Sequence, residues 1–250
     1  MILQIQINMN NHLEENRLSK GQVPRPPKDW TSEEIREFFS EYREVVTIPV
    51  HVMVEGEQRV YSFPEVEDIL RGAETIVLQD CVCRTRLRNC DAPVHTCILL
   101  DERAEARLRG KPIERNAEKV SLGKALETLK EANEAGLVLM ALTARDDEKP
   151  TTICNCCSCC CHALSGLLRH DVAHLVLASR YVAENEAALC TGCGACVARC
   201  CFGARKMTNG KLFLDTSRCF GCGLCVSSCP AHAIRLTERS RTEPSSQRTA

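Results

Sequence analysis

From residue 31 onward, hydrophobic and polar positions recur in recognisable periods. Thr31 opens a capping box with Glu34, and Ile35, Phe38, Phe39 and Tyr42 follow at i, i+3, i+4 and i+7, which predicts a helix with one buried face. Ile48, Val50, Val52 and Val54 then alternate with other residues, Glu55-Gly56 turns the chain, and Val60, Tyr61 and Phe63 return, predicting a β-hairpin. A short helix is expected over 66–70, stopped by Gly72, and a strand over 75–79 runs into Cys81. Asp101 is expected to cap a helix ending before Gly110. Ser121 caps a longer one with Leu122, Ala125, Leu126 and Leu129 on one face and Gly136 as its stop. Residues 137–142 and 151–154 flank a polar turn and predict a second hairpin. Residues 162–182 read as helical or partly helical through Leu164, Leu167, Leu168, Val172, Leu175 and Val176.

These periods imply an α+β chain in parts. Residues 1–30 hold Pro24, Pro26 and Pro27 and read as a strand or loose arm followed by a stiff linker. After Tyr181 the composition shifts to short Gly-Cys loops, and the end of the chain is polar. The expected division is an arm at 1–30, a cysteine-rich α+β domain at 31–180, a smaller domain at 181–238 and a tail at 239–250. The order helix, helix, hairpin in the second part resembles the outline of a winged-helix module, but reads first as a helical cap and hairpin supporting the cysteines.

Of the 250 residues, 44% are hydrophobic and 26% charged, as in ordinary globular chains. A net charge of −1 and only 4% aromatic residues argue against nucleic acid as a partner. No apolar run is long enough to span a membrane, and the start lacks the basic and apolar stretches of an export signal, so a cytoplasmic location is expected. Cysteine is the outlier at 19 residues: ten lie in 81–161 and nine in 190–229. In a reducing compartment such density predicts metal thiolates, not disulfides.

The C-terminal cysteines are ordered. Cys190, Cys193, Cys196 and Cys200 are spaced C-x₂-C-x₂-C-x₃-C, and Cys219, Cys222, Cys225 and Cys229 repeat that spacing 29 residues later, followed by Pro230. A cubane has four irons, each needing a thiolate. A tight loop relieved by Gly192, Gly194, Gly221 and Gly223 can wrap three of them, with the fourth thiolate coming from the other motif. The expected sets are Cys190, Cys193, Cys196 with Cys229, and Cys219, Cys222, Cys225 with Cys200. Zinc sites favour paired cysteines across a longer loop. Residues 183–236 therefore resemble a bacterial-type two-cluster [4Fe-4S] ferredoxin domain of βαβ repeats, including a strand-like stretch at 211–215. One departure is Cys201, standing where that family has Pro; it is a substitute for Cys200 or a bystander. Residues 184–236 hold six Lys or Arg and three Asp or Glu, a balance of +3 that offsets anionic clusters.

The upstream cysteines are less ordered: Cys81, Cys83, Cys90 and Cys97 read C-x-C-x₆-C-x₆-C, and Cys154, Cys156, Cys157, Cys159, Cys160 and Cys161 crowd into eight residues. A subset is expected to bind one or more further iron–sulfur clusters, ahead of zinc, with the pairing unreadable. Arg84, Arg86 and Arg88 either support those thiolates or form a solvated basic face. His95 and His162 adjoin cysteines, and His170 and His174 are four apart. The CxCR and CNCCxCCC segments together resemble a little-characterised group of iron–sulfur proteins of anaerobes, which implies electron transfer or an accessory redox role.

Phosphate loops, dinucleotide fingerprints and nucleophile elbows are absent from the sequence. The expectation is therefore a ferredoxin-like carrier or redox subunit, with redox proteins as donors and acceptors, and not an enzyme. The alternatives are an enzyme with an open-coordination iron–sulfur site in the N-terminal domain and a redox-sensing regulator.

Overall fold

The computed structural model describes residues 26–55, 58–62, 64–110, 115–170 and 176–239. Expectations for the arm at 1–25, for Gly56, Phe63, Val172, His174 and Leu175, and for the tail from 240 onward lie outside those residues. Helix α1 (Ser32–Ser40) starts where its box predicts: the Thr31 hydroxyl accepts from the Glu34 N–H, and the Glu34 carboxylate accepts from the Thr31 N–H. Tyr42 does not continue its face. It begins strand β1 (Tyr42–Thr47), because Tyr42 to Thr47 find backbone partners on a later strand.

The hairpin of β2 (His51–Glu55) and β3 (Gln58–Ser62) follows, then α2 (Pro64–Arg71), β4 (Ile76–Asp80), α3 (Val82–Leu87) and β5 (His95–Leu100). Next come α4 (Asp101–Arg109), β6 (Glu118–Lys119) and α5 (Leu122–Glu134), whose first turn the Ser121 hydroxyl caps. Asp101 departs from its expected capping role. Its carboxylate accepts from the N–H groups of Glu74 and Thr75 and ties the loop before β4 to α4.

Strands β7 (Val138–Ala144) and β8 (Thr152–Cys156) form the second predicted hairpin, leading into α6 (His162–Arg169) and β9 (Val176–Leu177). Among the described residues, the helical reading of 162–182 thus holds over His162–Arg169. Val176 pairs with Val45 of β1 in parallel, and Tyr181 opens another strand. The main sheet runs β6-β4-β5-β8-β7-β1-β9. The β7–β8 hairpin lies in its middle, so helix, helix, hairpin does not build a projecting wing.

Alternation along these strands makes two different faces. Leu139 and Ala141 of β7 and Ile153 of β8 join Leu78, Ile98, Leu70 and Leu129 in a core without cysteine. Val138, Met140 and Leu142 point the other way, into a core shared with Trp30, Ile35, Leu164 and the buried Cys156, Cys160 and Cys161. Phe202, Phe220 and Leu224, from beyond position 180, belong to that same core.

The remaining chain forms β10 (Tyr181–Asn185), α7 (Ala195–Arg199), the hairpin β11 (Arg205–Thr208) and β12 (Lys211–Leu214), α8 (Leu224–Ser227) and β13 (Ile234–Glu238). β10 and β13 pair antiparallel over their whole lengths and close this part over a small core containing Cys196, Cys219, Cys225 and Cys229. Helices and strands are mixed throughout, as in an α+β chain.

Candidate metal centres

Two similar loops carry the C-terminal cysteines. Gly194 and Gly223 stand at the starts of α7 and α8 with φ of 76° and 79°, and Gly192 and Gly221 also have positive φ, so side-chain-free residues make both turns. A cavity of about 20 Å³ is lined by Cys190, Cys193, Cys196 and Cys229. A second of similar size is lined by Cys219, Cys222, Cys225 and Cys200. Each lining therefore takes three thiols from one loop and the fourth from the other, and neither includes Cys201. The Ala183 N–H donates to Cys219 Sγ (3.5 Å) and the Ala233 N–H to Cys229 Sγ (3.3 Å), leaving sulfurs already supplied with backbone donors.

The two loops differ in their surroundings. A Cβ on Gly223 would stand 2.1 Å from the Val50 carbonyl, and one on Gly221 2.2 Å from the Tyr181 carbonyl, whereas one on Gly194 would meet nothing within 4 Å. The second loop is pressed onto the main body; the first faces out, with Cys193 exposed. Arg205 lines the second cavity. It is 2% exposed, donates to the Ala183 carbonyl, and its charge acts on the thiols of Cys196 and Cys225, one from each set. Burial pushes the Cys225 thiol up to about 12, and the Arg205 charge works against that.

The ten upstream thiols separate into six and four. Cys161 Sγ donates to Cys156 Sγ at 3.1 Å, and electrostatic interaction links neighbours in the order Cys81, Cys83, Cys161, Cys156, Cys154, Cys97. These six line one cavity of about 40 Å³ with Phe38, Arg84, Met140 and Leu142. The strands explain the convergence. Cys154 and Cys156 are two apart on β8 and share a face, and pairing of Ile98 with Ile153 puts Cys97 of β5 on that face too. Such crowded thiols cannot all lose a proton without a cation beside them. Interaction with Cys156 and Cys83 brings Cys161 down to about 6, whereas Cys154, Cys161 and burial push Cys156 up and Cys161 pushes Cys83 up. A cation among them would replace the shared protons, which is the chemistry a metal site needs.

Cys90, Cys157, Cys159 and Cys160 form the second group, with all four sulfurs within 4.8 Å of one another. A hydrogen bond from Cys159 lowers Cys157 to about 5. Cys157 also lines the six-thiol cavity, so the two groups adjoin.

The basic and imidazole candidates divide. Arg84 is 2% exposed; it lines the six-thiol cavity and donates to the carbonyls of Pro93 (2.9 Å) and Asn155 (2.6 Å). Arg86 lies over the Trp30 ring and pairs with Glu34, and Arg88 is an exposed helix end. His162 stacks between Trp30 and Phe38 with Nδ1 3.3 Å from Cys83 Sγ, and burial lowers its pKa to about 4. His95 instead contacts Asp80 and Glu118, and His170 contacts Ser32 and Asp29. Arg205, Asn89 and Trp30 carry weight that no spacing announces, although Trp30 is the sole tryptophan of the chain.

Among the described residues, no helix is long and apolar enough to cross a membrane. No curated protein matches the chain. Residues 212–235 match the 4Fe-4S binding domain family, a stretch covering β12, the loop of Cys219, Cys222, Cys225 and Cys229, and α8, while the loop at 190–200 lies outside it. The match supports an iron–sulfur electron-transfer role in general, carried by the segment at 212–235.

Proposed function

We propose that the chain relays single electrons between redox proteins through two [4Fe-4S] clusters and at least one further iron–sulfur cluster. Cys190, Cys193, Cys196 and Cys229 would hold one cubane, and Cys219, Cys222, Cys225 and Cys200 the other. The observation that carries the reading is the pair of cavities, each lined by three thiols of one loop and one of the other. The six thiols from Cys81 to Cys161 would hold the further cluster. Its working parts are the cysteine-rich region at 31–180 and the ferredoxin-like region at 181–238, flanked by the arm and the tail.

When bound, iron–sulfur clusters supply reversible one-electron steps. The chain supplies the rest. Arg205 supplies a buried positive charge that acts on thiols of both C-terminal sets, and the amides of Ala183 and Ala233 donate to ligand sulfurs. Exposed Cys193 marks the edge where a donor or acceptor protein would approach, with Leu189 (48% exposed) on the same loop. Thiolate chemistry of this density fits a reducing, oxygen-poor cytoplasm.

Iron and sulfide counts on anaerobically purified protein, with an EPR-monitored redox titration, test the reading. More than about eight irons per chain and signals from coupled reduced clusters are expected; iron for one cubane only would overturn it. Cys229→Ser should damage the cluster of Cys190, Cys193 and Cys196 first. Damage confined to the set of Cys219, Cys222 and Cys225 would show the ligands are not exchanged between loops.

A further inference from the structure

We propose that Cys90, Cys157, Cys159 and Cys160 bind a single tetrahedral metal ion as four thiolates, separate from any cluster. Four thiolates about 2.3 Å from one ion stand about 3.8 Å apart, the edge of the tetrahedron. Cys90 and Cys157 sulfurs are 3.7 Å apart, those of Cys159 and Cys160 3.8 Å, and all four lie within 4.8 Å. A cubane holds each thiolate on a different iron and spreads the four sulfurs more widely. Among the described residues this is the one group of three or more Cys, His, Asp or Glu side chains that converges so closely. The eight C-terminal thiols, in the same structure, stay further apart around their cavities.

The turn that presents these thiols is fastened in place. Three successive carbonyls, those of Ser158, Cys159 and Cys160, each accept a hydrogen bond at 2.7 Å, from Arg169 Nη1, Asn89 Nδ2 and Trp30 Nε1 respectively. The donors come from α6, from the loop that also supplies Cys90, and from the segment before α1. Asn89 thus couples the position of the distant ligand to the turn carrying the other three. Such outer contacts, which fix ligand orientation before the metal arrives, are what metal sites require. Zinc(II) and iron(II) share this donor set and geometry. The inference stands whether or not the electron-transfer reading does, since it uses none of the C-terminal thiols.

Metal and acid-labile sulfide are counted on the anaerobically purified full chain and on a Cys90→Ser/Cys159→Ser variant, with X-ray absorption at the zinc and iron edges. The expected difference is one ion, zinc or iron, with sulfide unchanged; the edge that loses intensity names the metal. Loss of several irons with matching sulfide, or no difference at all, would overturn the proposal. Should the double variant fail to fold, Asn89→Ala, which keeps all four thiols, decides. Release of one ion to a chelator should then be several-fold faster than from the wild type, with sulfide retained. Release at the wild-type rate, or of iron together with sulfide, would refute it.

Discussion

At the scale of single residues, Arg205 decides most. A buried guanidinium whose charge acts on thiols of both C-terminal sets favours the more negative, reduced state of whatever those thiols bind. Arg205→Gln should therefore lower the reduction potentials of both clusters by tens of millivolts at unchanged iron content, read by EPR potentiometry, and Arg205→Lys should recover part of the loss. Potentials that do not move would assign Arg205 to holding the Ala183 carbonyl alone. This residue was not legible in the sequence, where it is one of six basic residues in a stretch read only for its net charge. The grouping of thiols in the two C-terminal loops was legible because a three-residue period brings three cysteines of one tight turn around one cavity. The grouping of Cys81 to Cys97 with Cys154 to Cys161 was not, because it depends on the pairing of β5 with β8, which no spacing records.

At the scale of elements, the same sequence feature gives two outcomes. C-x-C on β8 sends both thiols to one face of a strand, whereas C-x-C at Cys81 and Cys83 opens a short helix, α3. The run at 154–161 is a strand, a turn and the start of a helix, and each delivers its cysteines separately. The turn depends on Arg169, which is held in turn by Asp29 at 2.7 Å and is 3% exposed at its side chain. Burial would raise the Asp29 carboxyl, but hydrogen bonds from Arg169 and Ser165 outweigh it and hold the group well below the usual carboxylate range. A depressed carboxylate contributes stability above its unfolded pKa and loses it as the pH falls towards the folded one. Asp29→Asn should thus cost roughly 1–3 kcal/mol in urea unfolding at pH 7, and the gap from wild type should narrow below about pH 4. The glycines give a paired test at this scale. Gly194→Ala carries only the left-handed backbone cost of about 1–2 kcal/mol, since its Cβ meets nothing within 4 Å. Gly223→Ala adds a collision with the Val50 carbonyl and should lose the second cubane, seen as iron content falling in that variant alone.

At the scale of the whole molecule, the main sheet separates a core without cysteine from one rich in it. The face carrying Leu78, Ile98, Leu139, Ala141 and Ile153 packs on α2 and α5 without a single cysteine. The opposite face packs on α1, α6 and the Phe202–Phe220 stack, with Cys156, Cys160 and Cys161 buried in it and further thiols against it. Beyond β9, the core of β10 to β13 includes four buried cysteines among ten buried residues, too little apolar surface for a segment this short to order itself. Cys201 joins these parts: burial raises its thiol first, and the charges of Cys200 on one side and Cys157 on the other add to that. Phe202, Phe220 and Leu224, from beyond position 180, pack into the thiol-bearing core of the main sheet. Metal loss should unfold the molecule unevenly as a result. After anaerobic chelation, hydrogen exchange should leave amides of α5, β4, β5 and β7 protected while those of 181–238 exchange freely. Amides of α1 and α6, packed on the thiol face, should fall between the two. Uniform loss would mean that the cysteine-free core cannot stand without its metal-bound neighbours. Protection throughout 181–238 would mean that thiolate–metal bonds are not what holds the C-terminal part together.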